Sequence, residues 1–382
     1  MPRCKKSRQA ASRLAKGVEF LLKKNNMAVV KATAAIASAG RLAVSDGADI
    51  QAKNIVVATG SRPFILPGCE FDEEQVLSST GILDMQELPK NIVILGAGAI
   101  GCEFALVMHA FGVHVTLVEM VDHILPLEDE ETVAEPEKSF RRRGIKVLTG
   151  TRALSLEKGP EGVTVALAGK NGAQHTVAAE KVLCVFGRTP NTDAIGLENV
   201  GLETERGYIP VGDYCQTRAP GIFAIGDVVN TPLLAHVASK EGEIVVEYIA
   251  GNSPEPRIDV NQIPSAIYCE PQVAGFGLRE NQAREQAVAY QKSVFPYRGV
   301  GKPIAVGKAE GMVKILYDPE STQILGGHIV GHGATELIHE VLLAKCAGLL
   351  PKDVANMIHA HPTVCEAIME AMRGVAGQPI HT

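Results

Sequence analysis

Residues 92–101 read Ile-Val-Ile-Leu-Gly-Ala-Gly-Ala-Ile-Gly, and residues 115–119 read Val-Thr-Leu-Val-Glu. The first four residues form an apolar, β-branched run of the kind that becomes a buried strand. Gly96-x-Gly98-x-x-Gly101 follows, then a helix-length stretch, then a second apolar run ending on an acid. In a strand–turn–helix setting the first glycine makes the turn. The second lets backbone approach a pyrophosphate, and the third lets helix and strand pack closely. Glu119 stands eighteen residues beyond Gly101, where a carboxylate accepts hydrogen bonds from adenosine ribose hydroxyls. An acid there repels a 2′-phosphate, and no Lys or Arg follows closely, so the pattern favours NAD over NADP.

Working outward, 382 residues exceed one ordinary core and predict two or three domains. The 46% hydrophobic and 21% charged composition is that of a globular chain, and its 38 glycines cluster in turns after apolar runs. A net charge of −6 gives no reason to expect a nucleic-acid partner. No apolar run reaches the length of a membrane span. The eight cysteines, at 4, 69, 102, 184, 215, 269, 346 and 365, include no CxxC or CxxxxC pair and no zinc spacing. They read as reduced thiols of a reducing compartment, cytoplasmic or, in a eukaryote, the mitochondrial matrix. The first 24 residues carry eight Lys and Arg against only Glu19. Two readings stand: an acid-poor transit peptide, or a basic helix with Leu14, Val18, Leu21 and Leu22 on one face.

A helix is expected over about 8–25, then short strands at 28–34, 41–45 and 49–58. Linkers follow at 61–63 and 66–68. Beyond the 91–119 unit, strands are expected at 145–149, 163–167 and 181–186, a loop at 187–192, a strand at 222–227 and a helix near 235–250. Residues 251–256 are a linker. The segment 259–330 is strand-rich, with helices at 333–347, 351–358 and 362–373.

Two further constellations carry chemistry. Asp227 ends the run Ile222-Phe-Ala-Ile-Gly-Asp, and a carboxylate at the C-terminal end of such a strand points into the ligand crevice. There it can bond a polyol such as the ribityl chain of a flavin, or it can cap a helix. Ala235-His236 opens the next helix, where backbone N–H groups meet ligand oxygens. His361-Pro362-Thr363…Glu366 is the catalytic candidate. Pro362 is expected to start a helix, with Glu366 in reach of His361. A carboxylate on one imidazole nitrogen makes the other a base, suited to deprotonating a thiol. A capping histidine beside a surface glutamate is the plainer alternative. His359 is a secondary, structural candidate.

In this order the segments resemble those of the flavin-dependent pyridine nucleotide–disulfide oxidoreductases. The resemblance rests on Gly17-Val18-Glu19-Phe20 through Asn25, Ala58-Thr59-Gly60-Ser61-Arg62-Pro63, the 96–101 turn with Glu119, and Gly187-Arg188-Thr189-Pro190-Asn191. It rests also on 222–227, Leu234-Ala235-His236, and His359 to Thr363 with Glu366. It runs from about residue 12 to the end. It implies an α/β fold with two Rossmann-like nucleotide-binding domains, one for FAD and incomplete, one for NAD, plus a C-terminal α+β dimerisation domain. The implied boundaries are 1–66 with 191–258 (FAD), 67–190 (NAD) and 259–382 (dimerisation and interface).

The His-x-His-Pro-Thr form and the Gly-Val-Glu-Phe segment resemble the lipoamide branch. That implies oxidation of protein-bound dihydrolipoamide through FAD to NAD by a homodimer. Its partners would be the lipoyl domains of 2-oxoacid dehydrogenase or glycine-cleavage complexes. Thr59, Gly60, Asp227 and Ala235 are then implied FAD contacts, and Gly96, Gly98, Gly101 and Glu119 NAD contacts. Gly187 lies near the nicotinamide, and His361 with Glu366 serves as the base lent to the partner subunit. The family's glycine-rich βαβ unit for FAD and its Cys-x4-Cys helix have no match here. The chain is therefore expected to be N-terminally truncated and to hold FAD poorly. The alternatives are another flavin disulfide reductase, of mercuric or glutathione reductase type, or a non-catalytic NAD-binding dimerisation module.

Overall fold

The 91–119 stretch folds as strand Asn91–Leu95, helix Ala99–Ala110 and strand His114–Val118, with the two strands parallel and adjacent. The helix buries Gly101, Cys102, Ala105 and Met108, which recur on one face. The computed structural model describes residues 2–45, 47 and 49–381, and side chains from residue 6 on. Cys4 and its neighbours thus lie outside the described side chains. The chain forms two compact units: Met1–Arg62 with Asp84–Glu87 and Arg188–Arg257, and Pro63–Leu83 with Leu88–Gly187 and Ile258–Thr382.

In the first unit, the basic N-terminal stretch is a helix, Pro2–Lys24, on which Leu14, Val18 and Leu21 are exposed. The strand expected at 28–34 is not formed. Val29 and Val30 are more than half exposed and bury no face, so the first strand is Ala34–Ser38. The strand expected at 49–58 is two. Asp49–Gln51 closes an antiparallel sheet with Arg41–Val44, whereas Ile55–Val57 pairs in parallel with Ile222–Ala224. Ile36, Ile55, Val57, Ile209 and Ile222 fill the core between them.

The second unit holds a parallel sheet ordered Val76–Leu77, Lys181–Cys184, Asn91–Leu95, His114–Val118, Lys146–Leu148. An antiparallel sheet of Thr151–Gly159, Gly162–Gly169 and Gln174–Ala179 precedes Lys181–Cys184. The sequence pattern singles out only its middle strand, where Val163, Val165 and Leu167 alternate inward. The outer strands show mostly exposed faces and carry no such alternation. The C-terminal part is a five-stranded antiparallel sheet ordered Ser265–Ile267, Gln272–Gly277, Ile324–Gly331, Gly311–Tyr317, Gln291–Pro296. Helices Ala334–Cys346 and Glu366–Val375 pack against it through Ile338, Val341, Ile368 and Met372.

One polar group in this unit has a consequence for stability. Glu128 is buried and accepts a hydrogen bond from Ser265 Oγ at 2.9 Å. Burial pushes its carboxyl up to about 7, and the Ser265 bond and the Arg279 charge offset only part of that. In the unfolded chain the group titrates near its ordinary 4.5. Between those values the unfolded state has released a proton that the folded state keeps. Stability therefore falls as pH rises through that window, by up to about 3 kcal/mol. Glu128→Gln is expected to remove that part of the fall. Melting curves from pH 4.5 to 7 with the same slope in both proteins would refute it.

Candidate active site

The glycine turn sits between a buried strand and a helix, and its three glycines meet different surroundings. Gly96 has φ +105, and a Cβ there would lie 2.6 Å from the Val185 carbonyl oxygen. A Cβ on Gly101 would lie 1.9 Å from the Gly96 carbonyl oxygen, so no side chain fits. Gly98 is extended, at φ −69, and a Cβ there would meet nothing within 4 Å. The space above Gly98 is thus open. Gly98 is also the N-cap of the helix, which has no side-chain cap, leaving its first-turn N–H groups for an anion.

Glu119 follows the second strand. Its Oε2 accepts the Ala97 N–H at 2.7 Å, and its Oε1 accepts the Met120 and Val121 N–H groups at 2.8 and 3.1 Å. Three bonds fix the carboxylate beside the turn and leave acceptor capacity for a hydroxyl. Gly187, at φ +131, lies in the same unit after strand Lys181–Cys184, and its carbonyl accepts the Phe64 N–H at 3.0 Å.

In the other unit, the parallel strands Ile55–Val57 and Ile222–Ala224 end side by side, and the Thr59-Gly60 turn and Asp227 follow them. Thr59 Oγ1 donates to the Asn191 carbonyl at 2.6 Å, and the Asn191 N–H donates to the Gly60 carbonyl at 2.9 Å. The Ser61 hydroxyl donates to Asp227, and Arg188 Nε donates to Ser61 Oγ at 2.6 Å, with Arg188 3.7 Å from the Asp227 carboxylate. Asp227 caps no long helix: helix Ala235–Ile249 begins after Leu234, which makes no side-chain cap bond. A quarter of the Asp227 side chain stays exposed.

The third constellation is the histidine pair. His361 Nδ1 and Glu366 Oε1 are 2.9 Å apart, and Glu366 Oε2 accepts the Thr363 N–H at 2.9 Å. Glu366 is largely buried, which alone would raise its carboxyl, but the Thr363 and His361 bonds outweigh burial and hold it below the ordinary range. The His361 ring is 77% exposed, so its outer nitrogen is presented to solvent. His359 differs. Its side chain is buried, with Nε2 on Glu340 at 2.8 Å and Nδ1 on the Met357 carbonyl at 3.2 Å, so both nitrogens are engaged.

Pro362 does not start a helix. The His361–Pro362 peptide is cis, and the helix is Glu366–Val375, with Cys365 as its N-cap. Residues 360–363 instead form a turn, in which Thr363 Oγ1 donates to the Ala360 carbonyl at 2.6 Å and competes with helical bonding. Among the described residues, no group of three His, Cys, Asp or Glu is placed to hold a metal, and no helix is long and apolar enough to cross a membrane.

Residues 3–242 match the family described as pyridine nucleotide-disulphide oxidoreductase, and residues 263–372 match the dimerisation domain of the same family. The chain belongs to the pyridine nucleotide-disulphide oxidoreductases. A curated relative, a dihydrolipoyl dehydrogenase of Bacillus subtilis (strain 168), is 43% identical over 86% of this chain and 69% of its own length. Dihydrolipoyl dehydrogenase 1, mitochondrial, of Arabidopsis thaliana is 38% identical over 97% of this chain and 74% of its own. Among solved structures, LpdA of Mycobacterium tuberculosis superposes with TM-score 0.89 at 28% identity, covering 96% of this chain and 81% of that one. The HOCl-induced flavoprotein disulfide reductase RclA of Escherichia coli follows at 0.83 and 26%, covering 94% and 84%.

As an oxidoreductase of this family, the chain carries side chains around the candidate site that its motifs do not announce. Glu241, 3% exposed on helix Ala235–Ile249, accepts the Gly226 N–H at 2.6 Å and so fixes the turn that carries Asp227. An available signal was its place on the buried face with Val237, Ile244 and Val245, where an acid requires a partner. Ser61 and Arg188 lie in recognised motifs, but nothing in the spacing says that they converge on Asp227.

Proposed function

We propose that the chain works as a dihydrolipoyl dehydrogenase, oxidising protein-bound dihydrolipoamide and reducing NAD through FAD. The observation that carries this reading is the His361–Glu366 pair, a carboxylate-held imidazole with its other nitrogen exposed. Its support is the dihydrolipoyl dehydrogenases that align over most of the chain at 37–43% identity.

The residues present fit both nucleotides. For NAD, the open space over Gly98, the uncapped helix N-terminus and the anchored Glu119 suit a pyrophosphate and a ribose diol. Gly96 and Gly101 shape that turn, and Gly187 is the residue that would lie beside a bound nicotinamide. For FAD, the Asp227 carboxylate, oriented by Ser61 and Arg188, suits a ribityl hydroxyl, beside Thr59, Gly60 and the helix opened by Ala235. The chemistry these groups supply when bound is hydride transfer.

His361 takes the thiol proton of dihydrolipoamide on its outer nitrogen. Glu366 holds the Nδ1 proton and balances the imidazolium that forms. The Thr363 N–H keeps the carboxylate turned toward the ring. In a homodimer this base serves the partner subunit's flavin, and the dithiol arrives on a lipoyl domain of a 2-oxoacid dehydrogenase or glycine-cleavage complex. The seven described cysteines are free, and no two cysteines of the sequence stand five apart.

Cofactor choice gives a direct test. NADH is expected to bind more tightly than NADPH, because Glu119 repels a 2′-phosphate. Glu119→Ala should weaken NADH about tenfold or more, the loss of one charge-assisted bond of about 1.5–3 kcal/mol, and leave flavin retention unchanged. Equal NADH and NADPH affinities in the unaltered protein would count against the assignment.

A further inference from the structure

Among the described residues Lys314 is the one lysine in the buried polar set, within the strand Gly311–Tyr317 of the C-terminal sheet. Its ammonium lies 2.9 and 3.0 Å from the two oxygens of Asp129 and 2.9 Å from Glu131, and it also pairs with Glu280. Lys292 bridges Glu131 and Glu280 from the solvent side at 2.8 Å each. A buried lysine needs this many partners to stay charged. What it holds is the chain that leads out of the strand His114–Val118, beside the dinucleotide turn.

That chain is the segment from Glu119 to Asp129. At its first end, Glu119 bonds the Ala97 N–H, and the Leu125 N–H donates to the Ala97 carbonyl at 2.7 Å. Both polar groups of Ala97, inside the glycine turn, are therefore bonded by this segment, the carbonyl also accepting from the Cys102 thiol at 3.3 Å. Leu125 makes its bond from φ +51, a left-handed conformation unfavourable for a leucine, while its side chain is buried. Such a conformation persists only where neighbouring contacts impose it. Beyond Leu125 three contacts anchor the segment. Arg279 Nη1 donates to the Pro126 carbonyl at 3.2 Å, Ser265 Oγ to Glu128, and Lys314 to Asp129, which also caps the helix Glu130–Arg143 by accepting the Thr132 N–H.

We propose that Lys314 is a positioning residue for the dinucleotide site: by clamping Asp129 to the C-terminal sheet it imposes the left-handed Leu125 and so holds Ala97 and Glu119 in the geometry that receives the nucleotide. The inference rests on the assignment of the 96–101 turn to NAD. Lys314 touches neither the turn nor Glu119, and it acts through the 120–129 segment. The domain matched as the dimerisation domain thereby sets the affinity of a site that it does not line.

The test is NADH titration, followed by fluorescence, together with thermal melting of the full chain. Lys314→Met is expected to raise the NADH Kd at least about fivefold. Because that variant leaves buried carboxylates without their cation and can fail to fold, Asp129→Asn/Lys314→Met is made as well. It removes the pair together, keeps an N-cap, and is expected to show the same rise. Met372→Ala, in the core of the C-terminal sheet, lowers the melting temperature without touching the segment and should leave Kd unchanged. A Kd within twofold of the unaltered protein in the folded double variant overturns the proposal, as does an equal rise in Met372→Ala. If the unaltered protein binds no NADH, the nucleotide assignment of the turn fails instead.

Discussion

Gly98→Ala is expected to leave the melting temperature unchanged and to weaken NADH binding by roughly 10–100-fold, the effect of losing close backbone approach worth about 1.5–3 kcal/mol. Gly98 is extended, which any residue adopts, and a methyl there would meet no protein atom within 4 Å. The methyl occupies only the space a pyrophosphate would take at the uncapped helix end. Gly101→Ala is expected to lose stability as well. Its methyl would be driven to 1.9 Å from the Gly96 carbonyl oxygen, so strand and helix must separate. Overpacking of that kind costs about 1–3 kcal/mol, and the melting temperature should fall along with affinity. Melting curves and NADH titrations of the two variants separate the roles. A stable Gly98→Ala protein with unaltered NADH affinity would show that nothing approaches that backbone.

The second large effect is at His361. His361→Gln is expected to lower the rate of dihydrolipoamide oxidation by about 10²–10⁴-fold, the usual consequence of removing a general base, while NADH binding stays as it was. Glutamine still donates to Glu366 but cannot take a proton from sulfur. Since the turn at 360–363 is built by Thr363 and the carboxylate of Glu366, the variant should keep its fold. Turnover is measured on the chain joined to the part of the Bacillus subtilis dihydrolipoyl dehydrogenase that this chain does not match. Unchanged turnover in His361→Gln would remove the histidine from the chemistry and leave it as a surface cap.

These two sites were readable in the sequence for different reasons. The glycine turn is local: one strand, one turn and one helix specify it, and the spacing of Gly96, Gly98, Gly101 and Glu119 encodes the geometry almost completely. The His361–Glu366 pairing is local too, five residues apart, although its helix starts at Glu366 and not at Pro362. What stayed hidden is long-range. Ser61, Arg188 and Asp227 meet from three separate segments. Lys314 meets Asp129 from 185 positions away. No periodicity carries such pairings, although Lys314 inside Val313-Lys314-Ile315-Leu316 and Glu241 on an apolar helix face mark polar groups that demand partners. The missed outer strands at 151–159 and 174–179 have a simpler cause. They are mostly solvent-facing, so burial leaves little alternation in them to read.

On the proposed function, this chain supplies the nicotinamide site and the base of a dithiol-oxidising flavoenzyme. That function is tested most directly by following NADH formation from dihydrolipoamide with the joined, flavin-loaded protein. Formation that saturates with NAD, is far weaker with NADP and collapses in His361→Gln is the expected result. A protein that holds its flavin and accepts dihydrolipoamide yet yields no NADH would contradict it.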